Sequence, residues 1–293
     1  MERRRGLTVA VGAALLAAAL MAFPAWPAGA AAGQAAAGQA AASSASCSSS
    51  SHPALAARIG RDITAARRGR VSTVAVAVDD PGLGLTCWLN RFSSFDSASV
   101  IKVTILAALL RKAEDQHRPL TATEAALARL MITRSDNDAA SDLWAELGRS
   151  YLQHFLDVAG MRHTSLGQDG YWGLTQITAN DQVVLLRLLL NSNAVLDPAS
   201  RSYALKLMAE VIPAQRWGVP AGAPPSLTVH VKNGWLPLAT HGWRIHSIGC
   251  FTGRGGNYSI VVLTQDNPTM AYGITTIETI AQAINHDLHA AAG

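Results

Sequence analysis

Ser99 and Lys102 stand three residues apart in "DSASVIKVTILAALL", where a serine-rich turn runs into a long apolar segment. On a helix this spacing puts both side chains on one face, so the amine can reach the hydroxyl and accept its proton. That is the chemistry of an activated nucleophile. The same pair also reads as a capping serine followed by a snorkelling lysine, and one such match is expected by chance in about every chain of this size. A lysine in the first turn of an otherwise apolar helix still costs on the order of several kcal/mol to bury unless its charge has a use.

Two further groups follow along the chain. Ser135-Asp136-Asn137, within "LMITRSDNDAASDLWAELG", has the short polar residues of a capped turn between helices. Lys232-Asn233-Gly234, within "VHVKNGW", puts a lysine and a glycine into an apolar strand pattern, where the bland reading is a solvent-facing lysine before a bulge. No spacing of Cys, His, Asp or Glu suits a metal and no cofactor motif occurs, so neither is expected; His163, His230, His241 and His246 read as structural.

The elements that must position these residues follow from periodicity. Residues 53–70 are helical in pattern, "VSTVAVAVDD" and "LTCWLN" alternate as a hairpin around "PGLG", and helical patterns run from about 97 to 207. Three strand patterns, "LTVHVKNGW", "WRIHSIGCFT" and "YSIVVLTQD", precede a closing helix from Thr275. This order predicts an α+β fold: a mainly antiparallel five-stranded sheet flanked by helices, with residues 53–96 and 226–290 in one lobe and an inserted helical lobe over 97–225. A pocket is expected at the seam between the lobes.

In order and context, the three motifs together resemble the signature set of the penicillin-recognising serine enzymes. Residues 53–290 are similar to a class A β-lactamase or a relative among the serine D-alanyl-D-alanine peptidases. The neighbourhoods "FDSASVIKVTILAALL" and "QRWGVPAGAP" add to the likeness. The resemblance implies that Ser99 is the nucleophile and Lys102, kept neutral by burial beside Lys232, its base. It implies that Ser135 relays a proton to the leaving nitrogen and that Asn137 holds Lys102 and the substrate amide. Backbone N–H groups of Ser99 and Trp235 would form the oxyanion hole, and Lys232, Asn233 and Gly234 would bind the substrate, Lys232 attracting its carboxylate.

Two departures bear on activity. The family's deacylating glutamate has no counterpart in "MRHTSLGQDGYWGLTQITANDQ", which is also shorter than the family pattern; Asp169 is the nearest acidic residue that could take over deacylation, in a "QDG" that reads better as a turn. Asn233 stands where the family has threonine or serine, so a hydroxyl becomes an amide. Tyr171, Trp172, Trp217 and Trp235 are candidate pocket walls. Three functions are carried forward: a β-lactam hydrolase, a D-alanyl-D-alanine peptidase or related amide or ester hydrolase, and a domain that binds or senses such ligands without turnover. The expected partner is a small-molecule or peptide substrate, β-lactam or peptidoglycan-like, and the expected state a monomer.

The N-terminus bounds the location. Three arginines, an apolar run from Leu7 to Phe23 and Ala28-Gly29-Ala30 describe a signal peptide over 1–30, for either general or twin-arginine export, with no membrane span left after cleavage. Residues 31–52 are low in complexity and read as a flexible lead-in, with Cys47 a poor match to a lipid-attachment site. The remaining cysteines are Cys87 and Cys250, which an exported chain could pair, although an odd total leaves one thiol over and connectivity open. The net charge of +4 falls to about +2 without residues 1–30 and is scattered, which excludes a nucleic-acid partner.

Overall fold

A computed structural model describes residues 43–254 and 256–290. The signal-peptide expectation, and the lead-in as far as residue 42, lie outside them. Strand β1 (Ser46–Ser49) precedes helix α1 (Pro53–Ala66), which starts on a proline and buries Leu55, Ile59 and Ile63 along one face. It stops short of the expected Arg70 because the chain turns through Gly69, whose φ is 75°. The hairpin β2 (Thr73–Asp80) and β3 (Leu85–Leu89) forms as its alternation predicts.

The helical lobe opens with a short strand β4 (Phe95–Asp96) and a 3-10 turn (Ala98–Val100), followed by α2 (Ile101–Asp115). Helix α2 is buried nearly all round from Ile101 to Leu110, as its continuous apolar run requires. Around it lie α3 (Ala122–Thr133), capped by a reciprocal Thr121–Glu124 pair, and α4 (Asn137–Ala159), which kinks where Gly148 leaves helical geometry. Strand β5 (Gln176–Ile177) pairs with β4, and α5 (Ala179–Leu190) and α6 (Pro198–Ala209) complete the lobe. The chain then returns through β6 (Leu227–Pro237), β7 (Trp243–Gly253), β8 (Tyr258–Asn267) and α7 (Met270–Ala290). Helices α1 and α7 cover the sheet together, while α5 packs on β2, β7 and β8.

The sheet has six strands in the order β1-β3-β2-β8-β7-β6, all antiparallel, rather than the five expected. The added strand comes from the segment read as flexible. Residues 46–49 carry no large apolar group, so composition hides them; what holds them is covalent. Cys47 lies directly opposite Cys87 in the β1–β3 register and the two form a disulfide, leaving Cys250 as the free, buried thiol. A Cys87–Cys250 pairing is thereby ruled out.

The bridge closes a loop spanning 40 residues of sequence. Replacing Cys47 and Cys87 together by serine is expected to lower the unfolding free energy by about 2–4 kcal/mol. Urea denaturation measures this, and reductant should bring the wild type down to the variant's midpoint.

Candidate active site

The turn that carries Ser99 is held from both sides. On one side the Asp96 carboxylate accepts from Arg244 Nε at 2.8 Å and Nη2 at 2.7 Å, and from Gln176 Nε2 at 2.6 Å. The Asp96 carbonyl accepts from His246 Nε2 at 2.8 Å, while the amide of Thr264 donates to His246 Nδ1 at 3.2 Å. These two bonds fix the ring as the neutral Nε2–H tautomer, and burial pushes its pKa down to about 4. On the other side, Ser97 is fully buried, with its amide on Thr175 O at 2.8 Å and its hydroxyl 3.3 Å from the carbonyls of Trp172 and Gly173. Between these anchors Ala98 takes a φ of 47°, a left-handed conformation costing an alanine about 1–2 kcal/mol, and Ser99 follows, lining a cleft.

Strand β6 is an edge of the sheet, yet residues 230–234 are buried without interruption because the Ser99 turn and α6 cover it. Gly234 makes that cover possible. A Cβ there would lie 2.9 Å from the Ser99 amide nitrogen, 3.0 Å from that of Val100 and 3.1 Å from the Ser97 carbonyl, all backbone atoms that cannot swing aside.

Lys102, three residues into the helix from Ser99, has no exposed surface. Its amine donates to Ser135 O at 2.6 Å and Asn137 Oδ1 at 2.8 Å, and lies 3.2 Å from Ser135 Oγ and 4.8 Å from the centre of the Trp172 ring. The first two partners only accept, so a neutral amine would give them its two N–H bonds and keep its lone pair for a hydroxyl. Burial lowers the Lys102 pKa to about 7, with the Asp136 charge pulling part of the way back. Lys232, also buried, donates to Ser135 Oγ and to Asn233 O, both at 2.9 Å, and burial, then the charge of Lys102, pushes its pKa well down. Ser135 Oγ therefore links the two amines. Asp136 caps α4 by accepting from Ala139 N at 2.8 Å, so the capped turn and the site are one object: the cap sets Ser135, at φ 57°, and Asn137 on either side of it.

The cleft has a volume of about 580 Å³, with Ser99, Asn137 and Ser141 at its base. One wall is the segment from Gly170 to Leu174, the other Trp235, Leu236 and Leu238. Tyr171, Trp172 and Trp235 are therefore walls as expected, whereas Trp217 packs behind Trp235 with ring centres 6.2 Å apart. Asp169 is exposed in a left-handed turn, at φ 48°, just before the wall begins. Among the described residues its carboxylate has no hydrogen-bond partner, and it is not brought to the group around Lys102. Asn233 is buried and turns both amide hydrogens to the carbonyls of Gln215 and Trp217, at 3.0 and 2.8 Å. Sequence reasoning passed over Asp96, Arg244 and Gln176, which no local pattern links, and Ser141, which the i, i+4 spacing from Asn137 would have found. His230 is structural, bonded to Leu205 O and Thr252 Oγ1 at 2.7 and 2.8 Å. Among the described residues no cluster of His, Cys, Asp and Glu could hold a metal.

Comparison with known proteins places this arrangement. A model of the beta-lactamase enzyme family matches residues 115–288. The chain belongs to that family. The match takes in Ser135, Asn137 and Lys232 and begins after Ser99 and Lys102. The beta-lactamase from Sphaerobacter thermophilus superposes with a TM-score of 0.68 at 20% identity, over 80% of this chain and 98% of that one. An ancestral class A beta-lactamase gives 0.65 at 21%, over 77% of this chain and 98% of that one. The fold is that of a class A β-lactamase. "Putative lipoprotein LppW" of Mycobacterium tuberculosis is 27% identical over 222 residues, 73% of this chain and 68% of that protein.

Three outcomes follow from the buried amine and the buried glycine. Labelling of Ser99 by a fluorophosphonate should rise with pH through about 7 and level off above it, since the protonated amine below that pH cannot take a proton. A native pKa below the unfolded value of 10.5 means the unfolded chain binds more protons between the two, so stability should rise with pH across that window, and Lys102→Met should flatten the slope. Gly234→Ala should lower the labelling rate by at least about tenfold, with thermal unfolding reporting the accompanying strain.

Proposed function

We propose that this chain is an exported serine hydrolase of the β-lactamase type whose Ser99 forms an acyl-enzyme with strained lactams and related amide or ester bonds. The observation that carries this reading is the state of Lys102: an amine without exposed surface, its hydrogens on two carbonyl-type oxygens and its pKa lowered to about 7. In the first step Ser99 Oγ attacks the carbonyl carbon as its proton passes to Lys102 Nζ. The Ser99 and Trp235 amides receive the oxyanion, the C–N bond breaks, and the Ser135 hydroxyl gives its proton to the leaving nitrogen. Lys102 then returns a proton to Ser135, which leaves the acyl group esterified to Ser99 and Lys102 neutral again.

Clearance of the ester needs water and a base. No carboxylate stands on the cleft wall, and the Trp172 ring covers the side of Lys102. Lys102 is the base that remains, so deacylation is slow. This also favours the third function carried forward from the sequence, in which the domain is acylated and persists as a sensor. Export is supported by the Cys47–Cys87 bridge, which suits an oxidising compartment, and by the name of the mycobacterial relative. Lipid attachment through a cysteine does not carry over, because the other thiol, Cys250, is buried in the sheet. No helix among the described residues is long and apolar enough to cross a membrane.

Intact mass spectrometry after exposure to excess benzylpenicillin tests the proposal. The expected result is an adduct on Ser99 that decays over minutes to hours and is absent in Ser99→Ala. Rapid decay with many turnovers would point to a base other than Lys102, and the absence of adduct and product together with a Ser99 that a fluorophosphonate does not label would overturn the reading.

A further inference from the structure

Among the described residues, the walls of the Ser99 cleft carry no charged side chain. Its polar side chains are those of Ser99, Asn137 and Ser141, together with the Tyr171 hydroxyl and the indole N–H groups of Trp172 and Trp235. The nearby cations are turned elsewhere. Lys232 is 1% exposed and donates to Ser135 Oγ and Asn233 O. Arg244 is spent on Asp96 and on the carbonyl of Thr240, and Arg216 on the carbonyls of Ala209 and Val229.

Asn233 closes the remaining route. Both of its N–H bonds go to backbone carbonyls, and those two acceptors fix which end of the amide is nitrogen. The atom left over, Oδ1, is buried, has no partner among the described residues, and can only accept. A carboxylate also only accepts. The residue where the resemblance implies a donor to the substrate is thus a clamp that ties β6 to the 213–217 turn, and it offers an anion nothing.

The rest of the cleft points to what replaces the anion. Among the described residues, seven large hydrophobic side chains are exposed, and three of them, Tyr171, Leu174 and Leu238, line this cleft. Such clustering on one concave surface marks a binding site rather than chance exposure.

We infer that the substrate of this site is a neutral acyl donor: an ester or amide with an apolar or aromatic acyl chain and no carboxylate on the leaving group. The inference rests on Ser99 being the acylated nucleophile. Reaction transfers the acyl group from the leaving oxygen or nitrogen to Ser99 Oγ, and water later releases it as the acid. Trp172 and Leu174 grip the acyl chain from one side and Trp235 and Leu238 from the other.

The test uses two aryl esters of phenylacetylglycine, one of phenol and one of 3-hydroxybenzoic acid, whose leaving groups are of similar basicity and differ in the carboxylate. Ester cleavage is followed by absorbance, with Ser99→Ala as the blank and a fluorophosphonate reporting separately whether Ser99 is reactive. The phenyl ester should be cleaved at least about tenfold faster in kcat/KM, and Asn233→Thr should move the ratio toward the carboxylated ester. A carboxylated ester cleaved equally well or better would overturn the inference. Should neither ester react while the fluorophosphonate labels Ser99, the substrate class is wrong although the nucleophile stands. Should the fluorophosphonate also fail, the acyl-enzyme reading falls and takes this inference with it.

Discussion

The amine of Lys102 has been taken out of water, and most of the molecule is arranged around that fact. A full charge at 0% exposure would need a carboxylate beside it, and none is bonded to it; Asp136, the nearest acidic contributor, spends a carboxylate oxygen on the α4 cap. Two carbonyl-type oxygens and one hydroxyl can satisfy either form of the amine, so it is burial without a bonded counter-charge that disfavours the ammonium. The α2 helix supplies the burial, the Ser135–Asn137 turn supplies the oxygens, and β6 brings a second amine to the same hydroxyl. Each of these depends on the others. If the turn loses its cap, or the Ser99 turn backs away from Gly234, water reaches Lys102 and its pKa returns toward that of an ordinary lysine.

What could be read from the sequence follows the range of the forces involved. The hairpin, the long buried α2 and the three late strands were legible because local periodicity dictates them, and the three motifs were legible because each is contiguous. Their convergence on Ser135 Oγ was implied by the resemblance and is seen in the distances. The sixth strand was hidden because its partner is fixed by a covalent bond and not by apolar content. Asp96, Arg244 and His246 were hidden for a similar reason: they lie up to 150 positions apart, and only the sheet register brings them to the back of the Ser99 turn.

Asn233 shows how one residue can keep a fold and change its use. A threonine there would have a single hydroxyl free to face a ligand, whereas the amide reaches two backbone carbonyls and draws the 213–217 turn onto the strand. The gain is rigidity at the seam beneath Lys232. What is given up is a donor at the place where relatives are implied to meet an anion, and the apolar walls above it are consistent with that loss.

Strand β1 has a consequence for the molecule in a crowded solution. A sheet's last strand displays unpaired amides and carbonyls, and a long apolar one would recruit a second chain edge to edge. Here the boundary is four residues long, serine at three positions and a bridged cysteine at the fourth. It covers the apolar β3 and gives a newcomer neither length nor grease to pair with. The serine-rich composition that looked incompatible with structure is what suits the segment to be a terminus for the sheet, and the disulfide keeps it there when its own side chains would not.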